Sequence, residues 1–513
     1  MRFRCLPLCV SLVLAAGLSA AEPSPLASSS SEFVRAQASS GVQWHAWNDA
    51  TLAEAQKQKQ KLSVYVFIGS PLSELTRATI NQTFSSPKTV EWLNQNFFCI
   101  FVDGDERPDL AAYGQHYIRS IKQLQGAPVH LWLTPDLQLY DGANYLPPSE
   151  EWGKPGFLKA ARSAFDAWSA DPARARRLAA EALDMMRIPP LAADAPVDAT
   201  AKLDAAAKAW IAAIDPVNGG FGTAPKQPEP DVIRFLLARG DPPSRDAALN
   251  AARALVKGAA RDATDGGFYR RCIDEAWQEP YYQKTLLDQV RIALALFDAA
   301  DAGKDESLRQ AAIGALDFSL KALRNADGSF AAALDGTLEE NPDPAKRPAF
   351  ARVGVASTGA RALLVLALQR SGEKRFVALA AELGTALRQQ LAADGSVPHQ
   401  GLDAGAGTAF DHLAVARAFL ALGDKAAADR LVTLANARFF DAATGTYQAT
   451  PQPLPAGIAV RVPAYGDTPV AEVLALRSGV DAKTATQIRR ALLSNIEYDE
   501  QPPGDVLLGL STK

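Results

Sequence analysis

Along the first third of the chain, apolar residues fall in short unbroken runs separated by polar segments of helical period. Residues 62–68 form a β-branched and aromatic run that stops at Gly69, the pattern of a buried strand. Residues 97–103 and 129–133 repeat it, and a fourth strand is expected to begin at 138–140. Helices are expected between them: 48–61, with Asn48 or Asp49 as cap; a loop after Gly69 that runs into a helix; a start at Ser86-Pro87 continuing through 91–96; then 107–122 and 154–170. Strands alternating with helices predict an α/β layer fold.

Beyond the Pro-containing segment 187–200 the period changes to 3.6 and no convincing strand series remains. About eleven helical stretches are predicted, roughly 197–213, 230–239, 244–261, 282–301, 305–323, 356–371, 374–393, 409–422, 425–438, 467–478 and 483–494. A recurring loop separates several of them: Asn218-Gly-Gly-Phe221, Asp265-Gly-Gly-Phe268, Asp327-Gly-Ser-Phe330, Asp394-Gly-Ser-Val397 and Thr444-Gly-Thr-Tyr447. Each places Gly where a helix stops, followed by a residue able to pack back. Units of this kind predict a ring of hairpins, an all-α (α/α)6 toroid, with a helical solenoid as the alternative. Segments 335–353 and 448–467 are expected as loops over one face.

At 513 residues with 48% hydrophobic content the chain suits two domains. Arg2 and Arg4, an apolar stretch from Cys5 to Leu18, and Ser19-Ala20-Ala21 read as a secretory signal over 1–21, with an uncleaved anchor as the alternative. Cleavage would leave 51 basic and 57 acidic residues, net −6, which argues against a nucleic-acid partner. No later run is long enough to cross a bilayer. The expected organisation is signal 1–21, disordered Ser/Ala/Pro-rich tail 22–40, α/β domain 41–175, helix end and linker 176–199, and helical barrel 200–513, in an exported, periplasmic or secreted protein. Of four cysteines, Cys5 and Cys9 would leave with the signal. Cys99 sits in a strand-like run and Cys272 in the other half, so a bridge between them is conceivable but not indicated.

Together the motifs resemble the thioredoxin-like, spermatogenesis-associated family, a domain of unknown function joined to a six-hairpin barrel similar to the N-acylglucosamine 2-epimerase fold. The resemblance rests on Trp44 to Trp47; Ile68-Gly69 and Phe84 around the active loop; Asp103-Gly-Asp-Glu-Arg-Pro-Asp109; Gly126-Ala-Pro128 with Leu133-Thr-Pro-Asp136; Tyr145-Leu-Pro-Pro148; Gly156-Phe157-Leu158; Asp215-Pro through Gly219-Gly-Phe-Gly to Pro225-Lys226; and Asp265-Gly-Gly-Phe268 with Asp274-Glu275 and Trp277. It covers nearly all of the mature chain. Where the family has C-H-W-C-H, this chain has Ser73-Glu-Leu-Thr-Arg77. Ser73 and Thr76 therefore stand at the redox positions, and Pro128 resembles the cis-proline that faces them. In such folds the helix N-terminus stabilises the nucleophilic thiolate; a pair of hydroxyls cannot exchange a disulfide. Where the family has P-H-F-E-K-M-L-Y-D-N, this chain has Pro280-Tyr-Tyr-Gln-Lys-Thr-Leu-Leu-Asp-Gln289. Tyr281 and Gln283 replace a histidine and a glutamate there, and Tyr269 replaces another histidine, so groups that titrate near neutrality are lost.

Three kinds of chemistry are weighed on these residues. Ser73 as a nucleophile needs a base such as His130 or His45; a retained fold with a spent site is the plainer reading. Glu74 and Arg77 read as a solvated pair, and 103–109 as a helix cap with Arg107 paired, or as a cation site. In the barrel, a sugar site needs carboxylates or histidines and aromatic faces. Tyr269, Arg270, Asp274, Glu275, Trp277, Tyr281, Tyr282, Lys284, Asp288, Asp411 and His412 are the candidates to line it, with His399 in the fourth Gly loop. Metal-ligand spacing, a phosphate loop and a nucleophile elbow are all missing, so neither cofactor nor metal is expected. The sequence thus predicts a redox-inactive thioredoxin-like module, able to dock a protein partner, on a barrel that binds a carbohydrate or other polar small molecule. The alternatives are a carbohydrate-active barrel enzyme, isomerase or hydrolase, working through carboxylates such as Asp274 or Asp288, and a pure interaction protein of the cell envelope.

Overall fold

Runs of Val, Ile, Tyr and Phe have no polar face to turn to water, so they are stable only as central strands covered on both sides. Ser63–Gly69 (β2) and Phe97–Asp103 (β3) are buried along their whole length. The computed structural model describes residues 24–29, 31–58, 62–187, 190, 198–336, 350–400, 407–448, 482–495 and 504–511. The sheet order is β1-β3-β2-β4-β5, with Trp44–Ala46 (β1), β3 and β2 parallel, and Val129–Leu133 (β4) and Leu139–Ala143 (β5) antiparallel. One face packs Val64, Val66, Ile68, Ile100 and Leu131 against Asp49–Lys57 (α2) and Pro108–Lys122 (α5). The other stacks Tyr65, Phe67, Phe101 and Trp132 with Trp44, Phe84 and Phe157.

Two boundaries differ from expectation. The segment expected as a disordered tail carries a short helix, Glu32–Arg35 (α1), capped by Ser31. Leu26 and Val34 are buried and Phe33 lies 5.2 Å from Phe101, so three apolar side chains anchor a segment whose composition is otherwise tail-like. The α/β domain also extends past 175. After Phe157–Ala170 (α6), Pro172–Met185 (α7) presents Ala175, Ala179 and Ala182 at helical spacing to the same cores. Residues 1–21 and most of the 187–200 linker lie outside the described residues.

The second half alternates outer and inner helices. Ala199–Ala212 (α8), Pro242–Lys257 (α10), Glu306–Phe318 (α12), Lys374–Gln389 (α14), Lys425–Phe439 (α16) and Ala482–Asn495 (α17) form the outer set. Pro230–Arg239 (α9), Leu286–Gly303 (α11), Thr358–Ser371 (α13), Ala409–Ala421 (α15) and Gly504–Ser511 (α18) form the inner one. The inner helices α9, α11, α13 and α15 pack side by side in succession, and α18 returns to α9, as in a closed ring rather than a solenoid. This is the (α/α)6 arrangement, with the helix expected over 467–478 outside the described residues. Short caps make the hairpins. Asp198, Asp241, Asp305 and Asp424 each accept a backbone N–H at an outer-helix start.

Besides the two-residue pair Phe440–Asp441 and Thr446–Tyr447, three short strands were not expected from the sequence. Gln283–Thr285 (β6), Ala331–Asp335 (β7) and Ala351–Val355 (β8) form an antiparallel sheet in which Gln283 faces Asp335. The segment expected as a loop from 335 therefore starts and ends in strand. Gln283 and Asp335 of this sheet contact Leu72 and Arg77 of the α/β domain.

Candidate functional site

The degenerate loop begins where β2 must give way to a helix. A Cβ on Gly69 would sit 2.6 Å from the Thr76 methyl and 2.9 Å from Phe67, so only glycine allows this close return. Ser73 is the N-cap of Glu74–Ala78 (α3), and its hydroxyl accepts the Thr76 N–H at 3.2 Å. Thr76 is fully buried, and its Oγ1 accepts the Ser70 N–H at 3.3 Å. The helix widens into a five-residue π turn, Thr79–Thr83. Ile68 pairs with Val129, which sets Pro128, after a cis Ala127–Pro128 bond, beside the end of β2. The site geometry of a thioredoxin-like fold is thus present, with a cap and a buried hydroxyl where electrons would pass. Cys99 and Cys272 do not substitute, because both are buried and unpaired. Burial pushes both thiols up, Cys272 to about 12, so neither is a thiolate near neutrality.

Arg77 does not form the local pair with Glu74 that the sequence suggested. It reaches the barrel, where its Nη1 lies 2.6 Å from Asp335 Oδ2. Gln283 Nε2 donates to the Leu72 carbonyl at 2.8 Å and to Asp335 Oδ1 at 3.3 Å, while its Oε1 accepts from Arg270 at 3.0 Å. Burial raises the Asp335 pKa against the pull of Arg77. Tyr281 is half-buried at the same seam, under the Arg271 guanidinium at 4.7 Å. Gln283 stands where the family has glutamate, and here its amide joins the two domains.

A second set of contacts crosses the seam at the 103–109 motif. Asp103 accepts from Ser31 Oγ at 2.7 Å and from the Asp105 N–H at 2.9 Å. The Asp105 carboxylate accepts from Ser70 Oγ at 2.8 Å, and its carbonyl lies 2.7 Å from His399 Nε2. Burial, with Asp103 close by, pushes the Asp105 carboxyl up to about 7. His399 Nδ1 lies 2.7 Å from Asp411 Oδ2. Burial alone would lower the His399 pKa, but Asp411 overcomes it and raises it to about 9. Arg107 pairs with Asp109, as the sequence suggested. Among the described residues no group of three potential ligands could hold a metal ion.

The barrel candidates separate into groups. Arg270, Tyr281 and the Asp411–His399 pair belong to the seam. Tyr269, Tyr282 and Lys284 lie together just beneath it. The buried Lys284 ammonium is 2.8 Å from both Asp262 and Asp265 and 4.5 Å from the Tyr269 ring, with Tyr282 edge-on to that ring. Tyr269 also donates to Asp262 at 2.6 Å. Asp288 and His412 have helix-end duties: Thr285 and Asp288 cap α11, and His412 Nδ1 donates to the Thr408 carbonyl while Nε2 accepts the Val397 N–H. Asp274, Glu275 and Trp277 lie apart from the seam cluster. Asp274 accepts from the N–H groups of Ala276, Gln278 and Glu279, and Glu275 is exposed. Trp277 is buried against Gly220 and Gly258 and donates to the Gly219 carbonyl. His130 is a core residue, bonded to Tyr65 OH at 2.7 Å within the aromatic stack, and is no base for Ser73. Asp335 and Asp262 were not singled out, because Arg77 and Lys284, the cations that pair with them, stand far away in sequence; Asp105 was read only as part of the 103–109 motif.

Residues 23–187 match the family model Thioredox_DsbH, described as a protein of unknown function, DUF255. Human spermatogenesis-associated protein 20 is 25% identical over 345 residues, 64% of this chain and 42% of that protein. The mouse protein of the same name is 24% identical over 319 residues, 60% of this chain and 40% of that protein. The chain thus spans about two-fifths of the length of these relatives. Among solved structures, cellobiose 2-epimerase from Bacillus thermoamylovorans B4167 overlaps 55% of this chain and 82% of its own, at 11% identity and a TM-score of 0.44. The α/β half is thus similar to the DUF255, DsbH-type thioredoxin-like model, and about three-fifths of the chain is similar to spermatogenesis-associated protein 20.

Proposed function

We propose that this is an exported, non-redox protein whose thioredoxin-like domain is docked on the mouth of a helical barrel, and that the barrel binds a carbohydrate or other polar small molecule there. One observation carries the reading: the loop that would hold the reactive cysteines instead gives the Leu72 carbonyl to Gln283 and the Arg77 side chain to Asp335. A loop with those attachments, and with hydroxyls at positions 73 and 76, supports recognition rather than electron transfer. Half-buried Tyr281 and Tyr282 beside the exposed Arg270 offer the aromatic face and hydrogen-bond donors that a polyhydroxyl ligand needs. Export rests on the character of residues 1–21.

Titration calorimetry of the full chain against neutral mono- and disaccharides, amino sugars and sugar acids tests the ligand class. Binding by one class, weakened at least tenfold in Tyr281→Ala and Arg270→Ala, is the expected result. Heats of dilution throughout the panel would reject a carbohydrate ligand.

The barrel-enzyme reading keeps one supporting observation, the Asp105 carboxyl pushed up to about 7 at the seam, within the range of a general acid or base. Asp274 and Asp288 no longer support it, since their oxygens fix a loop and a helix end. Product formed from any bound sugar, and lost in Asp105→Asn with binding retained, would favour that reading.

A further inference from the structure

His399 is bound on both ring nitrogens by groups that only accept. The Asp105 carbonyl has no proton to give. Asp411 Oδ2 already accepts from the Thr408 N–H and hydroxyl, both at 2.8 Å, and its Oδ1 accepts the Gly359 N–H at 2.8 Å. A neutral imidazole donates from one nitrogen only. Two donor bonds, at 2.7 Å each, require the imidazolium. The same hub holds the N-termini of two inner helices: Asp411 closes the capping box of α15 and reaches Gly359 in the first turn of α13, and the His399 carbonyl accepts the Thr358 N–H at 2.6 Å. On the far side, Asp105 is tied through Ser70 to the degenerate loop.

We propose that the His399 imidazolium is a proton-dependent latch, joining the first turns of two inner barrel helices to the 103–109 loop of the thioredoxin-like domain, and that loss of its proton releases that loop. On deprotonation, Nδ1–H stays with the carboxylate of Asp411, the stronger acceptor. Nε2 then turns a lone pair toward the Asp105 carbonyl, and the bond between domains becomes a repulsion. The charged groups around the ring set when this happens. Asp411 faces it directly, and Asp105 and Asp103 lie on the other domain, all favouring the proton. Arg361 lies close to Asp411 and Arg270 close to Asp105, both opposing it, and His412, adjoining Asp411, is kept neutral by burial. The raised pKa means that the latch is fully made below the ordinary histidine value of about 6.5 and is lost as pH rises through about 9. This goes beyond the ligand reading, since a latch is compatible with any occupant of the barrel.

Two measurements on the full chain test it. In histidine-15N-labelled protein at pH 7, one histidine should show both ring nitrogens protonated, with a midpoint near 9. Hydrogen exchange, corrected for intrinsic rates, should show protection of 103–109 falling at least tenfold in His399→Gln, with strand β4 unchanged. The same segment of the unsubstituted protein should open between pH 7 and 10, and His399→Gln should remove that dependence. A single-tautomer spectrum for every histidine at pH 7 would overturn the proposal even if the variant failed to fold. Equal protection of 103–109 in a folded His399→Gln protein would overturn it as well.

Discussion

Two hydroxyls hold the corner that two thiols would hold in an active thioredoxin-like site, and their jobs are now structural. The Ser73 hydroxyl caps a helix, so Ser73→Ala should lower stability by about 1 kcal/mol, read as a shift in urea midpoint at constant slope. Thr76→Val keeps the shape but orphans the Ser70 N–H, and should cost about 1–3 kcal/mol. His130, one strand away, is set against charge. Burial lowers its pKa to about 3, and its Nε2 has no partner. In the unfolded chain the ring takes up a proton near pH 6.5, whereas in the folded chain it does so only near 3. Its neutrality therefore favours the fold fully above 6.5, and that contribution is lost as pH falls toward 3. Asp105 acts in the opposite sense, because its folded pKa is raised. The difference in unfolding free energy between the unsubstituted protein and His130→Gln should thus shrink steadily from pH 6.5 to 4, as a pH series of denaturant titrations would record.

Strand β6 shows how three residues serve both halves. Side chains alternate along a strand, so Gln283 turns to the seam while Lys284 turns inward to Asp262 and Asp265. Lys284→Met strands the buried Asp262 carboxylate and should cost about 3–5 kcal/mol; adding Asp262→Asn should restore part of that loss. Most helices were legible because their signals are local: apolar residues at 3.6 spacing, with an Asp, Ser or Thr capping many starts and a Pro in the first turn of others. Residues 230–239 were placed to the residue. Strands β6, β7 and β8 were not legible, because each is at most five residues long and their pairing joins Gln283 to Asp335 across 52 positions. The helix of Glu32–Arg35 was hidden by composition, since Leu26, Phe33 and Val34 are sparse among Ser and Ala. That positions 73 and 76 carry hydroxyls and no thiol was fully legible, because it depends on which atoms are present there rather than on how they are packed.

At the scale of the molecule, the new information is the seam. The two domain types could be read from motif resemblance, but nothing in the chain said that the degenerate loop and the 103–109 motif face the barrel. Arg77, Gln283, Asp335 and His399 are ordinary polar residues until the fold brings them together. If these contacts fix one domain on the other, calorimetry should record a single unfolding transition for the full chain and two for Arg77→Ala combined with Gln283→Ala. The role proposed for the front domain is to join and recognise without passing electrons. Its most direct test is reduction of insulin disulfides by the unsubstituted full-length protein with dithiothreitol as donor. The expected rate is that of dithiothreitol alone at every protein concentration. A rate that rises with protein, and falls back in Ser73→Ala or Thr76→Val, would contradict it.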